Sequence, residues 1–142
     1  MLARTRINPR SIHPELTEAH LDALEWVRDE LRAGRWGHAK YLGPTKRRMF
    51  DRSCNDDVRF NMLAWGKRAN GCGTVCCIGG LADMRLKQLG LCELIPFKEL
   101  DHADHLCALF YPQECRLTSI TPAAAADAID MFVHTSRVPV GW

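Results

Sequence analysis

The densest group of reactive side chains lies in the middle of the sequence, where Cys72, Cys76 and Cys77 fall within Cys-Gly-Thr-Val-Cys-Cys. The pattern predicts a helix starting near Thr74, and a thiol at a helix N-terminus is more acidic and more reactive than an ordinary one. A nucleophilic cysteine also needs a nearby base and a group that orients the base. No histidine lies in the sequence context typical of cysteine peptidases, and the flanking Val75, Ile78, Gly79 and Gly80 are apolar or small, so the pattern favours structural thiols. A cysteine-dependent hydrolase centred on Cys72 and Cys76 is the alternative.

Cysteine and histidine pairs at helical spacing suggest a second chemistry, a zinc site. Cys72 and Cys76 are four residues apart, and His102 and His105 are three apart on a second short helix, so each pair would share a helix face. Four such side chains could form a tetrahedral zinc site. The spacing matches no zinc finger or ribbon, so we expect no metal and no cofactor, and these four residues are the ligands if a metal binds.

Positive charge is concentrated in one short stretch, which we call the basic cluster: Lys40, Lys46, Arg47, Arg48 and Arg52. Residues 1–70 hold 14 Lys and Arg against 9 Asp and Glu, a net +5, whereas residues 71–142 hold 5 against 8, a net −3. Such asymmetry can mark a surface for an anionic partner, or simply a solvated loop. Tyr41 and Phe50 interleave with the cluster, so nucleic-acid binding through residues 40–52 is one hypothesis.

Length and composition indicate one ordinary globular domain. The chain has 142 residues, of which 46% are hydrophobic and 25% charged, a balance that supports a core and disfavours disorder. The first residues lack the apolar run of a signal peptide, and no stretch is apolar enough for a membrane span. The cysteine count is odd, at seven, which argues against a secreted disulfide framework. These features predict a cytoplasmic protein that does not enter a membrane.

The first half contains one clear helix. Residues 1–13 form an irregular basic arm, and residues 14–142 a single helical domain. A helix is predicted from Thr17 as N-cap to Ala33, with Gly34 as its stop and an apolar stripe formed by Leu21, Leu24, Val27 and Leu31. Residues 35–58 have no core-forming period and are predicted as a long loop. Residues 59–65 alternate in a way that allows a small β element, and Asn70-Gly71 signals a turn.

Three helices are predicted in the second half. The first runs from near Thr74 to Leu89, with Gly90 as its end, and the second spans Asp101–Phe110. The third opens at Thr121-Pro122, with a hydroxyl at the N-cap and proline at the first helical position. Its apolar stripe is Ala125, Ala128, Ile129, Phe132 and Val133. Asp127 and Asp130 lie off this stripe, so replacing Asp130 is expected to be nearly silent. The terminal Trp142 is expected to pack back onto the domain.

Several motifs resemble a family of small uncharacterised proteins encoded by bacteriophages and proteobacteria. The likeness covers residues 58–142. Its first elements are Phe60-x-Met62-x-x-Trp65 and Cys72-Gly73-Thr74 with the Cys77-Ile78 dipeptide and Gly80. Its later elements are Leu109-Phe110-Tyr111-Pro112, the pattern from Thr121 to Phe132, and Trp142. In the family pattern Cys-Gly-Thr-x-x-Cys-Ile the second cysteine lies five residues after the first, which here corresponds to Cys77 followed by Ile78, with Cys76 directly before it. The resemblance implies a phage or bacterial origin and a coherent fold, and implies no chemistry.

The sequence as a whole predicts a mainly α-helical, single compact domain of about four helices, with room for a small β element near residues 59–65. The predicted function is non-enzymatic: a small phage or bacterial protein that binds a macromolecular partner. That partner is expected to be a protein in preference to a nucleic acid, and the basic cluster is the expected contact surface. Inhibition of a host defence system is the specific version that the resemblance suggests.

Overall fold

The computed structural model describes residues 5–39, 59–62, 65–69, 72–112 and 117–142. The described chain is mainly helical, as predicted. Its α-helices are α1 (Glu18–Arg32), α2 (Ile78–Gln88), α3 (Phe97–Leu100), α4 (Asp104–Phe110) and α5 (Pro122–Thr135), with short 3-10 turns at Pro9–Ser11 and Leu117–Ser119. Its strands are β1 (Arg59–Phe60), β2 (Trp65–Ala69) and β3 (Cys72–Cys76).

The first long helix begins and ends, and the last long helix begins, where local chemistry predicts. Thr17 is the N-cap of α1, and Gly34 follows the helix with a φ of +72°, a conformation that glycine adopts without strain. Thr121 is the N-cap of α5, and its hydroxyl accepts from the backbone N–H of Ala124 at 3.1 Å. Both sets of capping groups are local in sequence, which explains why these predictions are confirmed.

The core lies where α1 packs against α5 and α2. All the apolar stripe residues predicted for α1 and α5 are buried, and Phe132 has no exposed surface. The terminal Trp142 does pack back onto the domain, because its ring is 8% exposed and its Nε1 donates to the carbonyl of Leu109 at 3.1 Å. The described part of the predicted basic arm, residues 5–13, lies against these helices, with the N–H of Ile7 donating to the carbonyl of Val133 at 2.8 Å.

A three-stranded sheet with the order β1-β3-β2 occupies the region of the predicted β element and extends beyond it. β1 pairs with β3 in parallel, and β2 pairs with β3 antiparallel with two register irregularities. The prediction of a helix from Thr74 is therefore wrong, because Cys72–Cys76 is the central strand and the helix begins only at Ile78. The end of that helix is confirmed, since Gly90 follows it with a φ of +72°. The turn predicted at Asn70-Gly71 lies outside the described residues.

The second predicted helix is also corrected. Residues 101–110 are not one helix, because Asp101 is the C-cap of α3 and α4 starts only at Asp104. The apolar side chains predicted to be buried there, Leu106, Leu109 and Phe110, are buried in the core. The hydrophobic pattern thus identified the buried positions correctly while missing the break between two short helices.

Candidate partner-binding site

The two chain segments that flank residues 40–58 are hydrogen-bonded to each other. The N–H of Phe60 donates to the carbonyl of Gly37 at 2.9 Å, and the N–H of Ala39 donates to the carbonyl of Phe60 at 2.8 Å. The side-chain Nδ2 of Asn61 donates to the carbonyl of Ala39 at 3.0 Å. Ala39, Phe60 and Asn61 are all buried, so these hydrogen bonds are part of the packed interior.

Aromatic side chains flank these hydrogen bonds between residues 37–39 and 60–61. His38 pairs with Phe60 as an isolated parallel bridge, and their ring centroids are 6.2 Å apart. Trp36 is 9% exposed and packs edge-on against Trp26 of α1 at 5.2 Å between centroids. Arg85 of α2 places its guanidinium 4.7 Å from the Trp26 ring centroid, within the range of a cation–π interaction. These contacts attach the residues before the basic cluster to α1 and α2.

The basic cluster itself (Lys40, Lys46, Arg47, Arg48 and Arg52) lies outside the described residues, as do Tyr41, Phe50 and most of the predicted loop 35–58. The structure does describe how four arginines outside the cluster pair with carboxylates. Arg6 pairs with Glu18, with Asp22 at 2.6 Å and with Glu25 at 2.8 Å. Arg35 pairs with Glu30 at 2.7 Å, and Arg32 with Asp127 at 3.2 Å.

Arg28 completes this set by pairing with Asp29 at 2.9 Å and with Asp130 at 2.8 Å. Partial burial acts to lower the pKa of Arg28, but its hydrogen bond to Asp29 and the nearby carboxylates outweigh burial and raise it above its ordinary value. Hydrogen bonds to Asp22 and then Glu25 likewise raise the pKa of Arg6. Every carboxylate of α1 is engaged with one of these arginines.

The cysteines occupy positions that differ from the predicted ones. Cys77 is not in the first turn of α2 but is its N-cap, with no exposed surface, and its Sγ accepts from the N–H of Gly80 at 3.4 Å. Cys72 and Cys76 are the two ends of strand β3, and their side chains lie outside the described part of the structure. Cys77 is buried, which fits a structural thiol, whereas Cys92 is exposed and Cys107 is half-buried.

The strand geometry also removes the proposed pairing of Cys72 with Cys76 on one zinc ion. Residues four apart in a strand are separated by roughly 13 Å along the backbone. Two thiolates on one zinc ion are at most about 4.6 Å apart, and a cysteine side chain is too short to close that gap. The prediction that these two cysteines share a helix face is therefore wrong.

The histidine pair is not assembled as predicted either. His102 precedes α4 and its side chain is 90% exposed, while His105 lies in α4, so the two do not share a helix face. Within the described ranges, no group of three or more His, Cys, Asp or Glu residues could hold a metal ion. Asp101, the C-cap of α3, is 5% exposed and accepts a hydrogen bond from the hydroxyl of Tyr111.

Two further polar residues with structural roles were missed by the sequence reasoning. His20 is fully buried: the N–H of Thr17 donates to its Nδ1 at 3.0 Å, and its Nε2 lies 2.8 Å from the carbonyl oxygen of Ile95. Asp83 accepts from the N–H groups of Phe97 at 2.6 Å and Lys98 at 3.1 Å, so it caps α3 from another helix. Asn61, described above, was also missed, and the sequence signal for it is a polar residue between the apolar Phe60 and Met62.

Comparison of this chain with protein-family models, with curated proteins and with solved structures found no match. In the part of the chain that the structure describes, no helix has both the length and the apolar character needed to cross a membrane.

Proposed function

We propose that this chain is a small binding protein of phage or bacterial origin that docks on an anionic surface of a macromolecular partner through the basic cluster. The observation that supports this proposal is that four arginines outside the cluster are already paired with carboxylates of the same chain. Arg6, Arg28, Arg32 and Arg35 are each paired with carboxylates, and all the carboxylates of α1 are engaged in doing so. An external anionic group would complement the positive charge that the sequence concentrates in the basic cluster.

A protein partner is favoured over a nucleic acid. The net charge of the whole chain is only +2 and its pI is about 8.2, below the pI above ~9 that is typical of nucleic-acid-binding domains. The specific version of the proposal, inhibition of a host defence system, comes from the resemblance to phage-encoded proteins. It predicts that the partner belongs to a bacterial host and that binding alone, without turnover, produces the effect.

Charge reversal tests the proposal. The variant Lys46→Glu, Arg47→Glu, Arg48→Glu should lose a partner captured by the wild-type chain from a bacterial host and identified by mass spectrometry. Its melting temperature should stay close to wild type, because exposed charges contribute little to stability. The matched control is Lys87→Glu, Lys98→Glu, Arg137→Glu, which makes the same change in net charge at three exposed positions outside the cluster.

The control variant should keep full affinity for that partner in titration calorimetry. Equal losses in both variants would mean that only net charge matters, and unchanged binding in the first variant would remove the basic cluster from the proposal. If the captured partner is a nucleic acid, affinity should fall steeply and linearly on a log–log plot against salt, and the preference for a protein would be wrong.

A further inference from the structure

We propose that a cavity between α2 and residues 91–96 binds a small apolar molecule that carries one carboxylate, at a site that does not include the basic cluster. The cavity has a volume of about 240 Å³. Its lining is mainly apolar, from Leu86, Leu91, Leu94 and Pro96, and is completed by Asp83, Lys87 and Cys92. A concave, mainly apolar lining with a few polar groups is typical of small-molecule sites.

The wall formed by residues 91–96 is held in place from two helices. On the α2 side, Asp83 accepts from the N–H of Phe97 at 2.6 Å, directly after this segment. On the α1 side, the Nε2 of the buried His20 lies 2.8 Å from the carbonyl oxygen of Ile95, within the segment. The cavity is therefore preformed, and a ligand does not have to order its walls on binding.

The volume limits what the cavity can hold. A space of about 240 Å³ equals roughly eight water molecules at about 30 Å³ each, so it suits a ligand of roughly eight non-hydrogen atoms. A helix, with a diameter of about 10 Å, is too wide for it. The apolar wall would bury the hydrocarbon part of such a ligand and remove it from water.

The charged lining residues select an anionic ligand. The carboxylate of Asp83 already accepts from the N–H groups of Phe97 and Lys98. Lys87 is exposed, and its side chain makes no ion pair with any residue in the described ranges. A carboxylate at one end of the ligand would therefore pair with the ammonium group of Lys87 while the apolar end contacts the wall.

Hexanoate is the test probe, because its size matches that estimate and it carries one carboxylate. Binding to the full chain is measured by NMR titration of backbone amides and by the rate at which iodoacetamide alkylates Cys92, which is exposed and lines the cavity. Hexanol and hexylammonium are the matched probes with no charge and with the opposite charge. Lys87→Gln removes the proposed ion pair, and Arg137→Gln is its control, with the same charge change at an exposed position outside the cavity.

Hexanoate should shift the amide signals of Leu91, Cys92 and Leu94 saturably, and at about ten times its dissociation constant it should slow Cys92 alkylation about 10-fold. It should bind more tightly than hexanol and hexylammonium. Lys87→Gln should weaken hexanoate binding by about 2- to 5-fold, the range for an exposed ion pair, and leave hexanol binding unchanged. Arg137→Gln should behave like wild type.

Two results would overturn this proposal. Without saturable shifts at the cavity residues and without protection of Cys92, the cavity is not a binding site. If hexylammonium binds as well as hexanoate, or if Lys87→Gln and Arg137→Gln behave alike, the assignment of an anionic ligand is wrong. Neither result bears on the basic cluster, so the proposed function is tested separately.

Discussion

Arg28 of α1 donates a hydrogen bond of 2.8 Å to Asp130 of α5, although 102 residues separate them in the chain. Their side chains are only 14% and 20% exposed, so this ion pair is partly desolvated at the contact between the two helices. His134 lies on the same face of α5, with its Nε2 3.6 Å from the same carboxylate oxygen. The apolar stripe of α5 is thus bordered by a charged contact to α1.

This contact changes the expectation for Asp130. Asp130→Ala should destabilise the fold by about 1–2 kcal/mol, because it leaves the partly buried Arg28 with one hydrogen bond fewer. Asp127→Ala is the control: its side chain is 73% exposed, its pair with Arg32 is 3.2 Å long, and the change should cost less than about 0.5 kcal/mol. Urea unfolding of both variants measures the difference. Equal small effects would show that the Arg28 pair is energetically neutral.

Phe132 should be indispensable to the core. Its side chain has no exposed surface, and truncating a buried Phe to Ala typically costs about 3–5 kcal/mol, a large share of a small domain's stability. Phe132→Ala should therefore unfold or become insoluble at 37 °C, as judged by circular dichroism and soluble yield. Thr135→Ala, at an exposed position three residues further along α5, should remain folded. A folded, stable Phe132→Ala protein would place this ring outside the energetic core.

Thiol labelling should separate Cys92 from Cys77. Cys92 is exposed, whereas Cys77 is fully buried as the N-cap of α2, and a thiol reagent cannot reach a buried sulfur without local opening. In the native protein, peptide mapping after brief treatment with iodoacetamide should find Cys92 modified and Cys77 unmodified, and both modified in urea. Cys92→Ser should remove the fast native reaction assigned to that site. Rapid native modification of Cys77 at neutral pH would revive the cysteine-dependent alternative.

Asp83 gives a pH-dependent prediction with a definite sign. Burial raises the pKa of its carboxyl above the ordinary value of 3.8, against the opposing hydrogen bonds from the N–H groups of Phe97 and Lys98. A raised pKa means that the folded state binds this proton more tightly than the unfolded state does. Asp83 therefore adds more to the free energy of unfolding at low pH. That added stability is lost as the pH rises through the folded-state pKa of its carboxyl.

Asp83→Asn isolates this contribution, because the variant keeps the shape and cannot titrate. Between pH 6 and pH 4 the stability of wild type relative to Asp83→Asn should increase as pH falls, as measured by urea unfolding at each pH. At pH 7, Asp83→Ala should cost about 1 kcal/mol through loss of the cap on α3. Glu99→Ala, an exposed change in the same short helix, should be nearly neutral. A relative stability that falls towards pH 4 would reverse the assigned sign.

The sequence by itself determined the features that depend on residues close together in the chain. Thr17 and Gly34 bound α1, and Thr121-Pro122 opens α5, because capping hydroxyls, proline and glycine act on backbone groups within a few residues. The buried stripes of both helices follow from the 3.6-residue period for the same reason. The mainly helical class of the fold was therefore readable from the pattern of apolar residues and capping signals.

Only the tertiary structure decided the features that depend on distant partners. Cys72–Cys76 is a strand because β1 and β2 pair with it on either side, and short apolar runs do not by themselves distinguish a strand from a buried helix. Three side-chain contacts join residues far apart in sequence: Asp83 caps α3, Asn61 donates to the carbonyl of Ala39, and Arg28 donates to Asp130. A polar side chain carries no local mark of its partner, since its hydrogen bond is set by the packing of the whole domain.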